Sequence, residues 1–299
     1  MSDANCNPGL DGDNILFIVG SPRSGTTWLQ RLLAAHPQIK TGQESRLFQY
    51  VGTQFRYWES DVHSATTTRG GAGLACYMSE EEFVAIQKKY LALLLEPMFR
   101  ELSPGQIFLE KTPAHALFVP EIARLLPAAK VIHLVRDPRE VAASMIAAAA
   151  GWGRDWAPHR GSQAIRQWWQ HVCSAEQAVT QLGAGRFLRV HYEDLQRETA
   201  QKLGEVAQFL KISWSAVDMA EAIKKNSAEE MRRGGGTPIP MRGELAKTGA
   251  HTVSEPVGFV RRAQSGSWRE DLSWRQRFQV WRALRQTGCE WKQFANKHS

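Results

Sequence analysis

The sequence predicts an α/β fold, a single domain built on a central parallel sheet flanked by helices. Three observations carry that expectation. Short runs rich in β-branched and aromatic residues alternate with longer segments of helical periodicity, the pattern that crossover connections between parallel strands produce. Each short run is apolar throughout and bounded by polar or turn residues, as a strand buried on both faces requires. The first run passes through a glycine-bearing loop straight into a helical segment.

Taken in order, strands are expected at 15–19, 107–109, 131–135 and 187–191. Helices are expected at 25–35, 80–102, 120–126, 139–149, 162–181, 195–210 and 273–294. In the first helix Trp28, Leu29, Leu32 and Leu33 recur on one face, and Pro37 closes the element. The run at 131–135 turns at Asp137-Pro138 into the next helix. Proline suits a helix start, because the N–H it lacks would have no partner there.

Two long segments are expected to be mobile loops. One, 61–73, carries Thr66-Thr67-Thr68 and Gly70-Gly71; the other, 232–258, carries Gly234-Gly235-Gly236 and three prolines. Residues 1–14 are polar and acidic, which predicts a flexible N-terminus ahead of a domain spanning 15–299.

A chain of 299 residues buries roughly 75% of its unfolded surface, enough for a core without disulfides or metals. A hydrophobic fraction of 43% with 22% charged residues argues against disorder. The 37 basic residues exceed the 30 acidic ones, for a net charge of +7, which favours anionic ligands. Basic residues group only in pairs such as Lys224-Lys225 and Arg232-Arg233, so a small anion is expected rather than nucleic acid. Cys6, Cys76, Cys173 and Cys289 lie far apart with no C-x-x-C pair, so neither a metal site nor a disulfide scaffold is expected. No signal segment is seen, and no apolar stretch reaches the ~18 residues of a membrane span. A cytoplasmic enzyme is the expectation.

The loop after the first strand reads Gly20-Ser21-Pro22-Arg23-Ser24-Gly25-Thr26-Thr27. Glycines let such a backbone turn tightly, so that its N–H groups and the helix N-terminus converge on an anion. Against the nucleoside-triphosphatase pattern G-x-x-x-x-G-K-[ST], Gly20, Gly25 and Thr27 fit, while Thr26 stands where the lysine belongs. That loss disfavours ATP hydrolysis. The loop's cation is instead Arg23, which suits one phosphate bearing one further anionic group.

The run resembles the 5′-phosphosulfate loop of the sulfotransferase superfamily that uses 3′-phosphoadenosine 5′-phosphosulfate (PAPS). Its arginine-containing form is similar to that of tyrosylprotein and many bacterial sulfotransferases. The resemblance implies a single P-loop-type α/β domain, no metal, and 5′-phosphosulfate held by Arg23, Ser24, Gly25, Thr26 and Thr27. Three later segments follow the family's order. Arg136 and Ser144, at the end of the third strand and on its helix, would hold the 3′-phosphate. Arg261, Arg262, Gly266 and Trp268 resemble the family's closing loop, although Ala263 replaces its first glycine. Tyr192, in His191-Tyr192-Glu193-Asp194, resembles a tyrosine near the nucleotide.

Sulfuryl transfer needs positioning, a base for the acceptor hydroxyl and a cation near the leaving oxygen. Glu44, in Gly42-Gln43-Glu44-Ser45-Arg46, resembles the catalytic base of tyrosylprotein sulfotransferases, and Arg46 matches an arginine that orients it or binds the acceptor. Lys111, at a strand end, resembles the family's catalytic lysine. His115 is the rival base, since histidine titrates near the working pH. Trp152, Trp156, Trp168 and Trp169 either line an aromatic acceptor pocket or pack the core. The acceptor is a hydroxyl of a small molecule, a glycan or a peptide tyrosine, and the spent donor would be adenosine 3′,5′-bisphosphate (PAP). Two other classes compete: a nucleotide kinase-like phosphotransferase, which would need ATP and Mg²⁺, and a non-catalytic nucleotide-binding module.

Overall fold

The computed structural model describes residues 11–67, 71–183, 185–249, 251–260 and 266–294. Five parallel strands form one sheet: β1 (Ile15–Gly20), β2 (Ile39–Thr41), β3 (Ile107–Lys111), β4 (Lys130–Val135) and β5 (Phe187–His191), in the order β2-β3-β1-β4-β5. β1 is central, with Ile18 opposite Lys111 of β3 on one side and Gly20 opposite Leu134 of β4 on the other. Thirteen α-helices are described: α1 (Thr26–Leu33), α2 (Leu47–Thr67), α3 (Glu80–Phe99), α4 (Val119–Leu125), α5 (Pro138–Ala149), α6 (Gly161–Gln177), α7 (Val179–Leu182), α8 (Tyr192–Arg197), α9 (Thr199–Leu210), α10 (Ala216–Lys225), α11 (Ala228–Arg232), α12 (Trp268–Asp271) and α13 (Trp274–Gln286).

The period of two in β1 divides the core. Ile15, Phe17 and Val19 face a cluster built with α2, α3 and α4, while Leu16 and Ile18 face Leu29, Leu32 and Leu33 of α1 and Leu203 and Val206 of α9. All six β1 residues are buried, which is why the run carries no polar alternation. A third cluster joins Val141 and Met145 of α5 to Trp168 of α6 and Leu284 of α13. Truncating a ring such as Phe17 to alanine would cost about 3–5 kcal/mol.

The four expected strands are present, and β2 is an addition. Three residues are too few to show alternation, and Ile39–Thr41 is recognised only by its pairing with β3. Segment 61–73 departs from the expected loop, because α2 continues to Thr67. The threonine hydroxyls that suggested a loop are absorbed within the helix: Thr66 donates to the Val62 carbonyl and Thr67 to that of His63. The helix expected at 195–210 is two helices, broken at Glu198 (φ −129°, ψ 49°), and the first begins at Tyr192. The expected 273–294 helix stops at Gln286, ahead of Gly288 at φ +80°.

Segment 232–258 is held at both ends in its described part. Thr237 accepts from Arg31 through its carbonyl and exchanges hydrogen bonds with Asn226, and Glu255 lies 3.5 Å from the Arg31 guanidinium. The expected flexible N-terminus falls mostly outside the described residues. Among the described residues no helix is long and apolar enough to cross a membrane.

Candidate functional site

The site forms where β1, β3 and β4 end. Gly20 closes β1 so near β4 that a Cβ there would sit 2.5 Å from the Leu134 carbonyl oxygen. Gly25, at φ +95°, caps α1, and a Cβ on it would lie 2.6 Å from the Tyr192 ring. Between them Arg23 takes φ +72°, a left-handed conformation that costs an L-residue about 1–2 kcal/mol. These three positions bend the loop over the first turn of α1, whose N-cap glycine brings no side chain of its own.

The loop borders a cavity of about 690 Å³ whose walls include Arg23, Thr27, Glu44, Arg46, Arg136 and Ser144. On one side the Arg23 Nε donates to Ser144 Oγ at 3.0 Å, and its Nη2 donates to the Phe259 carbonyl at 2.5 Å. The same guanidinium lies 4.5 Å from the Phe259 ring centroid and 5.0 Å from that of Trp152. Arg136, just past β4, donates to the Arg23 carbonyl at 3.3 Å, stacks on Tyr192 at 4.2 Å and lies 3.6 Å from Glu140. β4 and α5 therefore bring Arg136 and Ser144 onto the loop from one direction.

On the other side stands Lys111, the last residue of β3, with a buried side chain. Its Nζ donates to Thr27 Oγ1 at 3.2 Å and to Glu44 Oε1 at 2.5 Å. Glu44 is half-buried, and the two groups expected to handle the proton and the leaving charge are in direct contact.

Two observations show that this set suits a bound anion. The buried Ser24 Oγ and the buried Arg136 Nε have no hydrogen-bond partner among the described residues. Buried polar groups of that kind are ordinarily satisfied, and anionic oxygens would do so here. Three cations, Arg23, Arg136 and Lys111, converge on a loop whose glycines leave no room for side chains. A nucleotide carrying separate anionic groups fits these residues.

His115 does not join them. Its ring is fully buried between Phe17 and Phe48, and Nε2 accepts the Phe48 amide at 3.1 Å. Burial pushes its pKa down to about 3, so the ring is neutral and faces the core. Sequence alone could not separate it from a base, because histidine four residues beyond the lysine fits either role.

The late loop is placed only in part. Arg261 and Arg262 lie outside the described residues. Ser267 Oγ and the Trp268 amide donate to the Glu140 carboxylate at 2.9 and 3.1 Å, which brings the loop to the first turn of α5 beside Arg136. Trp268 itself does not reach the Arg23 cavity. It packs against Arg139 and Arg269, at 4.8 and 4.9 Å, and walls a separate hollow under α13. Gly266 takes φ +88° without bordering the Arg23 cavity.

The tryptophans divide. Trp152 and Trp156 line the cavity, whereas Trp168 is fully buried and Trp169 packs beside it. Phe259, Val260, Met231 and Asn226 also line it and had no sequence signal. Met231 lies on the short helix α11 and the others on connecting segments, and tertiary contacts such as Trp28 Nε1 to the Asn226 carbonyl, at 3.0 Å, bring them in. Among the described residues no cluster of three His, Cys, Asp or Glu groups is placed to hold a metal.

Known proteins of similar sequence and shape identify the family and the fold. A protein-tyrosine sulfotransferase 2 of Gallus gallus is 28% identical over 202 residues, covering 67% of this chain and 52% of that protein. Over 133 residues a protein-tyrosine sulfotransferase 1 of Mus musculus is 31% identical, covering 44% of this chain and 34% of that one. This chain thus spans about half the length of the chicken relative. Among solved structures, a mouse sulfotransferase complexed with PAP superposes with a TM-score of 0.56 at 16% identity, covering 96% of this chain and 90% of that one. The sulfotransferase domain of a Synechococcus olefin synthase also gives 0.56, at 19% identity, with 94% and 96% covered. These two likenesses establish the fold. The sequence profile of the sulfotransferase family matches residues 16–216, well over half of the chain, and the protein belongs to that family.

Proposed function

We infer that this chain transfers the sulfuryl group of PAPS to a hydroxyl acceptor and releases PAP. The observation that carries the reading is the unbroken line Thr27–Lys111–Glu44 on one flank of the phosphate loop, with Arg23, Ser144 and Arg136 on the other. In it the loop and Arg23 bind the 5′-phosphosulfate, while Arg136 and Ser144 bind the 3′-phosphate. Glu44 takes the proton of the acceptor hydroxyl as its oxygen attacks sulfur. The bond from sulfur to the phosphate oxygen breaks in line with that attack, and Lys111 balances the charge gathering on the leaving oxygen. The Lys111–Glu44 contact parts when Lys111 turns to that oxygen, which leaves the carboxylate to the acceptor.

Support for a phenolic acceptor, such as a peptide tyrosine, comes from the aromatic wall of Trp152, Trp156 and Phe259 and from relatives named for protein tyrosine. A flat ring stacks on such a wall while its hydroxyl points at the base.

The test combines binding with turnover. PAP is expected to bind in calorimetry, and labelled PAPS to sulfate a tyrosine peptide with EDTA present. Glu44→Gln is expected to lower kcat roughly a hundredfold while PAP affinity holds. Tight PAP binding with no transfer to peptide, phenol or sugar would instead identify a non-catalytic nucleotide module. Binding of ATP with Mg²⁺ in place of PAP would overturn the donor assignment.

A further inference from the structure

β3 ends in Glu110 and Lys111, and because strand side chains alternate, the two point to opposite faces of the sheet. Lys111 reaches Glu44 directly. Glu110, which the reaction does not use, is buried on the other face and reaches the same turn from behind. Its Oε1 accepts from Thr112 Oγ1 at 2.6 Å, and Thr112 Oγ1 accepts the Arg46 amide at 3.2 Å. Ser45 lies beside the Glu110 carboxylate, near enough to pull its pKa down. Ser45 Oγ accepts the Leu47 amide at 3.1 Å, and His115 Nε2 accepts that of Phe48 at 3.1 Å.

Three successive amides, of Arg46, Leu47 and Phe48, thus end on Thr112, Ser45 and His115, side chains gathered around Glu110. They are the N–H groups leading into and opening α2, which an ordinary helix start leaves without partners. The turn they belong to is bent, with Arg46 at φ +55°. Such a conformation persists only where its surroundings impose it.

We propose that Glu110 is a positioning residue that holds the Glu44 turn in place through the amides of residues 46–48, so that β3 grips the base from both faces. The proposal rests on the catalytic reading of Glu44 for its effect on rate, but the anchoring itself does not. Burial pushes the Glu110 pKa up to about 7 against the pull of its hydrogen bond from Thr112, of Ser45 and of the Lys111 charge. The titratable and charged groups around it are Lys111 on its own strand, Glu44 and Arg46 on the turn, and His115, whose Nδ1 lies 3.7 Å from Oε1. His115 is neutral, so across neutral pH the change in this cluster is the charge of Glu110.

Two variants of the full chain test this. Glu110→Gln copies the protonated acid, and Glu110→Ala removes the anchor. Hydrogen exchange at the amides of residues 46–48 is expected to speed up at least about tenfold in Glu110→Ala, relative to amides in β1. In Glu110→Gln, kcat is expected to stay within about twofold of wild type near pH 6 and to fall about tenfold near pH 8, with PAP affinity unchanged. A role confined to stability would give no such dependence. If exchange at 46–48 is unchanged in a folded Glu110→Ala protein, the anchor does not exist. If exchange responds but kcat of Glu110→Gln matches wild type at both pH values, the turn is held by Glu110 without consequence for the base. That result overturns the positioning role. A wild-type protein that shows no sulfuryl transfer would fail the functional reading alone, because the exchange result still decides the anchor.

Discussion

The two flanks of the phosphate loop are built differently. Arg136 and Ser144, on the β4 flank, sit on a strand end and an adjoining helix and reach the loop within one supersecondary unit. On the β3 flank, Lys111 is fixed by its strand, but its partner Glu44 lies on a turn that β3 must hold from a distance of 67 residues. Arg136 and Ser144 are placed relative to one another within a single strand–helix unit, although their bonds to Arg23 span 113 and 121 residues. Lys111 and Glu44 share no such unit and meet only through the tertiary structure. Under the proposed function, the difference would separate a scaffold that holds a nucleotide from a device that presents a proton acceptor.

Three substitutions probe that contrast. The largest effect is expected from Lys111→Ala, which removes the group that joins Glu44 to the phosphate loop: kcat should fall about 10³-fold while PAP affinity changes far less. An equal loss in kcat and in affinity would place Lys111 on the nucleotide-holding flank instead. Next comes Gly25→Ala, which forces a Cβ into the Tyr192 ring at a positive φ. It should destabilise the fold by about 2–4 kcal/mol, read by denaturant unfolding. An unchanged midpoint would show that the Tyr192 side of the loop yields easily.

The last effect, read against pH, concerns His115 on the β3 flank. Its folded pKa of about 3 lies below the 6.5 of the free side chain, so the unfolded chain takes up the proton first. Its contribution is fully present above pH 6.5 and is lost as pH falls towards 3, at about 1.4 kcal/mol per unit. His115→Gln keeps an acceptor for the Phe48 amide and does not titrate, so its melting temperature should fall less on acidification from pH 6.5. Parallel acid limbs for the two proteins would refute this.

The same contrast explains what could be read from sequence. Arg23, Gly25, Arg136 and Ser144 were legible through the short segments that carry them, which resemble the family's phosphate-binding motifs. Glu44 and Lys111 were legible as residue types, but nothing in the sequence showed that they touch. Glu110 and Thr112 stood in plain view beside Lys111, and their task became visible only once α2 was seen to begin above them. Helix α2 was itself unexpected, since three threonines and a glycine pair near its end weigh against helix on propensity alone. Phe259 and Asn226 gave no signal, because contacts across 236 and 198 residues recruit them.

The strand order carries a metric consequence. β3 and β4 flank β1, so the residues that close them stand two strand spacings apart. Each spacing is about 4.8 Å, and because Lys111 is level with Ile18 while β4 runs on past Gly20, Lys111 and Arg136 are also offset along the strands, on the order of 15 Å apart at backbone level. The sheet therefore acts as a ruler, setting its cationic groups at separate stations rather than in one unbroken row.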